Sequence, residues 1–195
     1  MKRYVLLSLL ALGACEPADA PPAPAPPATD RSQAVDVDHA AAIDALLAAP
    51  DLPLDASRML ATAPPGDWLA AVEAHLEDPE TSIYIKSRCV TALRWLDAPG
   101  TVRSLERLVD DDDAPVLLRR TAIKAYARKA PDGAVARMAR LANHPDRRLR
   151  EGVVHALADI RTEAGRALLE ERTTIEEDAR LRALAQALLE APRHP

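Results

Sequence analysis

The chain has 195 residues, is 48% hydrophobic yet only 3% aromatic with no Phe, and carries a formal net charge of −5. The charge is uneven: residues 1–15 hold two bases, residues 16–66 eight acids against two bases, and residues 67–195 22 acids against 21 bases. A nearly neutral folded part excludes bulk nucleic-acid binding, and without large rings the core must be built from Ala, Leu and Val.

Met1-Lys2-Arg3 is a positive n-region, and Tyr4–Leu12 an apolar run too short to stay in a bilayer as a span. Leu12-Gly13-Ala14-Cys15 follows, and this stretch resembles a bacterial lipoprotein signal with its lipobox. The resemblance implies cleavage after residue 14, lipidation of Cys15 and attachment to the cell envelope. Several acyl chains on one residue hold a protein to a membrane stably. Inner-membrane retention in such proteins uses Asp after the cysteine. Glu16 stands there, which favours the periplasmic face of the outer membrane.

Residues 15–36 are rich in Pro, Ala and Asp, with Pro21-Pro22-Ala23-Pro24-Ala25-Pro26-Pro27 at their centre. Such a segment buries no core and prefers extended polyproline II, so a disordered tether is expected. About 20 residues at ~3.1 Å each reach at most ~60 Å.

From residue 37 to 195 the pattern is helical throughout. A first helix has Ile43, Leu46 and Leu47 on its apolar side and stops at Pro50, and a short second one spans about 54–63. Helix-A segments follow at 68–76, 102–109, 135–142 and 166–172, and helix-B segments at 83–96, 116–130, 147–160 and 175–189. Glycines 66, 100, 133 and 165 lie between pairs, 34, 33 and 32 residues apart, where they are expected to supply left-handed turns that end helices. Thr173 with Glu176, or Thr174 with Glu177, forms a capping box for the last helix.

The helix-B segments repeat. Ala92, Ala125, Ala156 and Ala187 fall in register, 33, 31 and 31 residues apart. A helical period of this length marks a solenoid in which each unit is covered by its neighbours. Arg119-x-x-Ala122-x-x-Ala125-Tyr126 carries the motif best, with Lys86, Arg150 and Leu181 at the position of Arg119. An acidic turn, a base opening helix B and alanines at steps of three resemble the HEAT repeats first described in phycobilisome lyases. The resemblance implies a right-handed α-solenoid of about five helix pairs over roughly residues 37–190.

Several groups could carry chemistry. Asp110–Asp113 reads as a solvated turn at the start of a helix rather than a calcium loop, for it lacks spaced acids and a glycine. The five histidines, residues 39, 75, 144, 155 and 194, are scattered and none precedes Glu, and phosphate-binding glycine loops and Gly-x-Ser-x-Gly are missing. No catalytic residue, metal site or cofactor is therefore assigned. Cys89 aligns with Ala122, Val153 and Leu184 and reads as a core residue, as does Trp68 beside Leu69 and Val72. Trp95 aligns with the polar Arg128, Asp159 and Glu190 and is expected to be exposed.

The basic stretch 119–150 holds ten bases against Asp132 and Asp146, after the acidic turn. Two readings stand: a ladder satisfying neighbouring acids, and a patch for an anionic partner. Arg119 is expected to pair with the acidic turn or with Asp146, leaving Arg120 and Lys124 free on one face.

The expected function is a membrane-tethered, non-catalytic scaffold that binds an envelope protein. The alternative is an enzyme or ligand-binding protein of the lyase type. The residues expected to meet a partner lie on helix B: Thr91, Trp95, Arg120, Lys124, His155 and Gln186. Replacing Cys15 by Ser should move the protein from the membrane to the soluble fraction; retention with unchanged processed size would contradict the anchor.

Overall fold

A computed structural model describes residues 38–191. The expected signal segment, Cys15, the expected tether and His194 lie outside the described residues. Among the described residues ten helices follow one another: α1 His39–Ala48, α2 Ala56–Thr62, α3 Pro65–Glu77, α4 Ile83–Trp95, α5 Thr101–Asp110, α6 Val116–Lys129, α7 Pro131–Leu141, α8 Arg147–Asp159, α9 Glu163–Ile175 and α10 Ala179–Glu190. They form five consecutive pairs, and the domain is an all-helical α-solenoid, as the repeat spacing predicts.

Within each pair the two helices pack on one another, and the helix-B members α4, α6, α8 and α10 lie side by side in one layer. The aligned Ala92, Ala125 and Ala156 are buried between these helices, with Cys89, Ala122 and Val153 one turn earlier. Alanines here let the axes approach closely. Ala187 is the exception, being exposed. It lies on the last helix, where no further described pair covers it. Trp68 is fully buried in α3, its indole Nε1 donating to Met59 O at 2.8 Å. Cys89 is also fully buried, and burial pushes its thiol up to about 12, so it is inert filler.

The helix starts follow local chemistry. Asp38, Asp55, Ser82, Asp146, Thr162 and Asp178 each accept a backbone N–H of the first turn. Pro65 and Pro131 take the first helical position, where a missing N–H costs nothing.

Two expectations are corrected. The repeat glycines do not end helices: among the described residues only Gly100 has a positive φ, 105°, and it precedes α5 as its N-cap. Residues 66, 133 and 165 sit inside first turns, because the preceding helices already stop at the non-helical residues Ala63, Ala130 and Ile160. At Gly165 the reason for glycine is space, since an added Cβ would lie 2.6 Å from Ile160 Cγ2.

The last boundary also differs. Helix α9 continues through Thr173 and Thr174, whose hydroxyls donate to Glu170 O and Glu171 O at 2.7 and 2.8 Å. Neither threonine caps α10. Asp178 does so, accepting from Arg180 N and Leu181 N. The carboxylate of Glu176 cannot fold back as a box requires, because it is buried against Arg150.

Leu157 is buried between helices and Gln186 is exposed. Leu157→Ala should therefore lower stability by about 2–5 kcal/mol, and Gln186→Ala by less than about 0.5 kcal/mol. Coincident denaturant midpoints for the two variants would contradict the register.

Candidate functional site

The ten short helices of the described residues leave many carbonyls at their C-termini without intrahelical N–H donors. Basic side chains reach these ends. Arg88 donates to Leu46 O at 2.9 Å and to Leu52 O at 2.8 Å, and Lys129 to Leu96 O at 2.7 Å. Arg172, 4% exposed, donates to Ala142 O at 2.9 Å and to Asn143 Oδ1 at 3.0 Å. Arg119, 3% exposed, donates through Nε and Nη2 to Val109 O and pairs with Asp112 Oδ1 at 3.0 Å. The expected link from Arg119 to the acidic turn is thus formed, and it also closes the end of α5. In the last repeat Leu181 fills the basic position and is buried, and Arg182 takes over, donating to Glu176 O and Glu177 O.

Several other bases of the stretch meet acids one repeat away. Arg137 contacts Asp110 Oδ2 at 2.8 Å and Glu106 Oε1 at 3.0 Å, and shares Glu106 with the hydroxyl of Tyr126. Arg128 pairs with Asp159 at 3.0 Å and Arg147 with Asp178 at 2.7 Å. Arg140 adds a looser contact to Asp110 at 3.4 Å. The ladder reading accounts for most of the stretch. Asp110 and Asp112 serve arginines, and among the described residues no three His, Cys, Asp or Glu side chains are grouped to hold a metal.

The helix-B face gathers only part of the predicted set. Thr91 and Lys124 line one cleft between α4 and α6, together with Val90, Arg94, Thr121 and Arg128. Lys124 also lines a second cleft with Leu117, Arg120 and Thr121. His155 lies across from them on α8. Burial lowers its pKa, and the neighbouring Lys124 and Arg120 charges add to the effect, so the imidazole is neutral at pH 7. Trp95 is 40% exposed, as expected, with the Arg94 guanidinium 4.8 Å from its ring centre. It does not line the Lys124 cleft. Gln186 stands apart on α10, hydrogen-bonded to Glu190.

Arg120 corrects the expectation of a free cation. Its Nη2 lies 3.7 Å from Glu151 Oε1, and its stem packs so closely on Gly152 that an added Cβ would come within 3.3 Å. Arg94 and Arg128 are the cleft residues that motif reasoning missed. Their signal was present in the sequence, since neither α4 nor α6 contains a single Asp or Glu.

The most deeply buried ion pair joins Arg150 to Glu176, which is 4% exposed, at 3.1 Å. Burial raises the Glu176 pKa, but the Arg150 hydrogen bonds and the Asp178 N–H outweigh it and hold the carboxyl below its ordinary value. A folded-state pKa below the unfolded one gives stability that is present above the unfolded value and lost as pH falls through the folded one. Arg150→Met should cost about 3 kcal/mol by stranding a buried charge. Glu176→Gln should flatten the acid limb of the stability–pH curve, and an unchanged limb would contradict the assignment.

No curated protein and no solved structure matches the chain. A family model described as HEAT repeats matches residues 113–190, from the end of the acidic turn through α10. That segment contains the best-kept motif, the helix ends closed by Arg172 and Arg182, and the buried Ala125 and Ala156, and the chain accordingly carries HEAT-like repeats.

Proposed function

We propose that this solenoid is a non-catalytic scaffold for protein–protein interaction, tethered to a bacterial envelope membrane through lipidated Cys15. HEAT repeats generally serve protein–protein interaction, and residues 113–190 match them. The observation that carries the reading is the helix-B face. It is a continuous row of half-buried polar side chains, Thr91, Lys124 and His155, on side-by-side helices. The clefts along it are open to solvent, a shape that suits a protein surface better than an enclosed small ligand.

Support for the tether rests on the lipobox and the Pro/Ala-rich segment. Among the described residues no helix is long and apolar enough to cross a membrane, so attachment through this part would need another device. A lipid anchor followed by an extended spacer supplies one, and would present the helix-B face to a partner in the same compartment.

A photo-crosslinking amino acid at Lys124, in cells, should capture a discrete partner identifiable by mass spectrometry. The same probe at Arg103, exposed on α5, should not. An absence of adducts from Lys124, or the same adducts from both positions, would contradict the assignment of the binding face.

A further inference from the structure

Helices α4 and α6 carry eight bases and no acid between them: Lys86, Arg88, Arg94, Arg119, Arg120, Lys124, Arg128 and Lys129. Three of these, Arg88, Arg119 and Lys129, are committed to helix-end carbonyls. Two more, Arg120 and Arg128, meet Glu151 and Asp159 of α8. Of the remaining three, Lys86 does not line the cleft; the other two, Arg94 and Lys124, have no carboxylate partner among the described residues. They lie together in the α4–α6 cleft, where Arg128 brings a third positive charge.

The remaining lining is specific in character. Val90 and Ala125 are buried and form an apolar floor. The Thr91 and Thr121 hydroxyls donate to Ser87 O and Leu117 O at 3.0 Å, so their oxygens present lone pairs to the cleft. Cations that want carboxylates thus alternate with acceptors that want N–H groups. An extended peptide offers both. Two exposed apolar side chains lie next to residues of the cleft: Leu117, 53% exposed, lines the adjoining cleft with Thr121 and Lys124, and Trp95, at the end of α4, stacks with Arg94. From Leu117 to Arg128 a helix rises about 16 Å, the length of about five extended residues.

Resting on the scaffold reading above, we infer that the α4–α6 groove binds a short acidic peptide segment of the partner, its carboxylates set among Arg94, Lys124 and Arg128 and apolar residues at its ends. Charge complementarity selects this occupant. Carboxylates elsewhere already have bases, Glu73 and Glu77 at Arg107, Asp110 at Arg137 and Asp112 at Arg119, whereas Arg94 and Lys124 in the groove meet none among the described residues. Complementary charges of this kind set specificity and association rate and weaken with salt.

The test uses the full-length protein in detergent and a fluorescein-labelled glutamate-rich peptide ending in leucine, followed by fluorescence anisotropy. Wild type should bind the peptide, bind a glutamine-for-glutamate counterpart at least about tenfold more weakly, and lose affinity as salt rises. Lys124→Glu and Arg94→Glu should each weaken binding by about tenfold or more, the size expected for a charge contact in a partly desolvated groove. Arg148→Glu, an exposed base on α8 with no carboxylate partner among the described residues, should leave it unchanged. Lys124→Ala, with circular dichroism, guards against a charge reversal that perturbs folding. Equal weakening by Arg148→Glu, no binding by wild type, or displacement of the peptide by equimolar inorganic phosphate would overturn the inference. If crosslinking captures a partner that Lys124→Glu binds as well as wild type, the groove assignment falls and the scaffold reading stands. If the peptide binds as described but crosslinking captures nothing, the scaffold reading falls instead.

Discussion

The ends of the helices set the terms for everything else in this domain. A solenoid of short helices multiplies termini, and each C-terminus leaves carbonyls whose negative dipole ends need donors. This chain answers with cations instead of left-handed glycines. Arg88, Lys129 and Arg172 each reach back to the preceding helix pair, and Arg119 and Arg182 close the partner helix within their own pair. Such contacts satisfy a backbone group and fix one repeat against the next in the same stroke. They also explain why a chain with a formal charge of −5 keeps so many arginines inside its helix pairs.

Small side chains complement that arrangement. With no Phe and little aromatic content, the helix-B layer closes over Cys89, Ala92, Ala122, Ala125, Val153 and Ala156, all within a few percent of full burial. Close helices leave little room, which is why Gly152 sits against the Arg120 stem and Gly165 beneath Ile160. The acid–base pairs between repeats, Arg137 with Glu106 and Asp110 or Arg147 with Asp178, lie at the rim of these contacts. They are partly exposed, so each adds little stability by itself. Their value is registration.

How much of this was legible in the sequence follows from the range of each interaction. Helix order, the alanine register, buried Trp68 and Cys89, and the link from Arg119 to the acidic turn were readable, because each depends on periodicity or on a neighbouring segment. The glycine positions were readable but their reason was not. Proline and extended residues had already ended the helices, and only the approach of Ile160 gives Gly165 its role. The capping box at Thr173 failed because Arg150, 26 residues from Glu176, holds the carboxylate it needed. The same kind of distant contact, to Glu151 on α8, removed Arg120 from the free cations. On the candidate face, Thr91 and Lys124 follow from the repeat register, whereas the acid-free composition of α4 and α6 marks Arg94 and Arg128 and only the packing of the two helices side by side joins them in one cleft.

The central claim is that nearly all the arginines of the basic stretch are internal fasteners and that the α4–α6 groove brings together two cations, Arg94 and Lys124, that have no such duty. Residue-resolved chemical modification of the native protein reads this directly, with phenylglyoxal for arginine and an amine-reactive ester for lysine, both followed by mass spectrometry. The account predicts rapid labelling at Arg94, Arg148 and Lys124, and slow labelling at Arg119, Arg150, Arg172 and Lys129. Labelling of Arg119 or Arg172 as fast as Arg94 would contradict it.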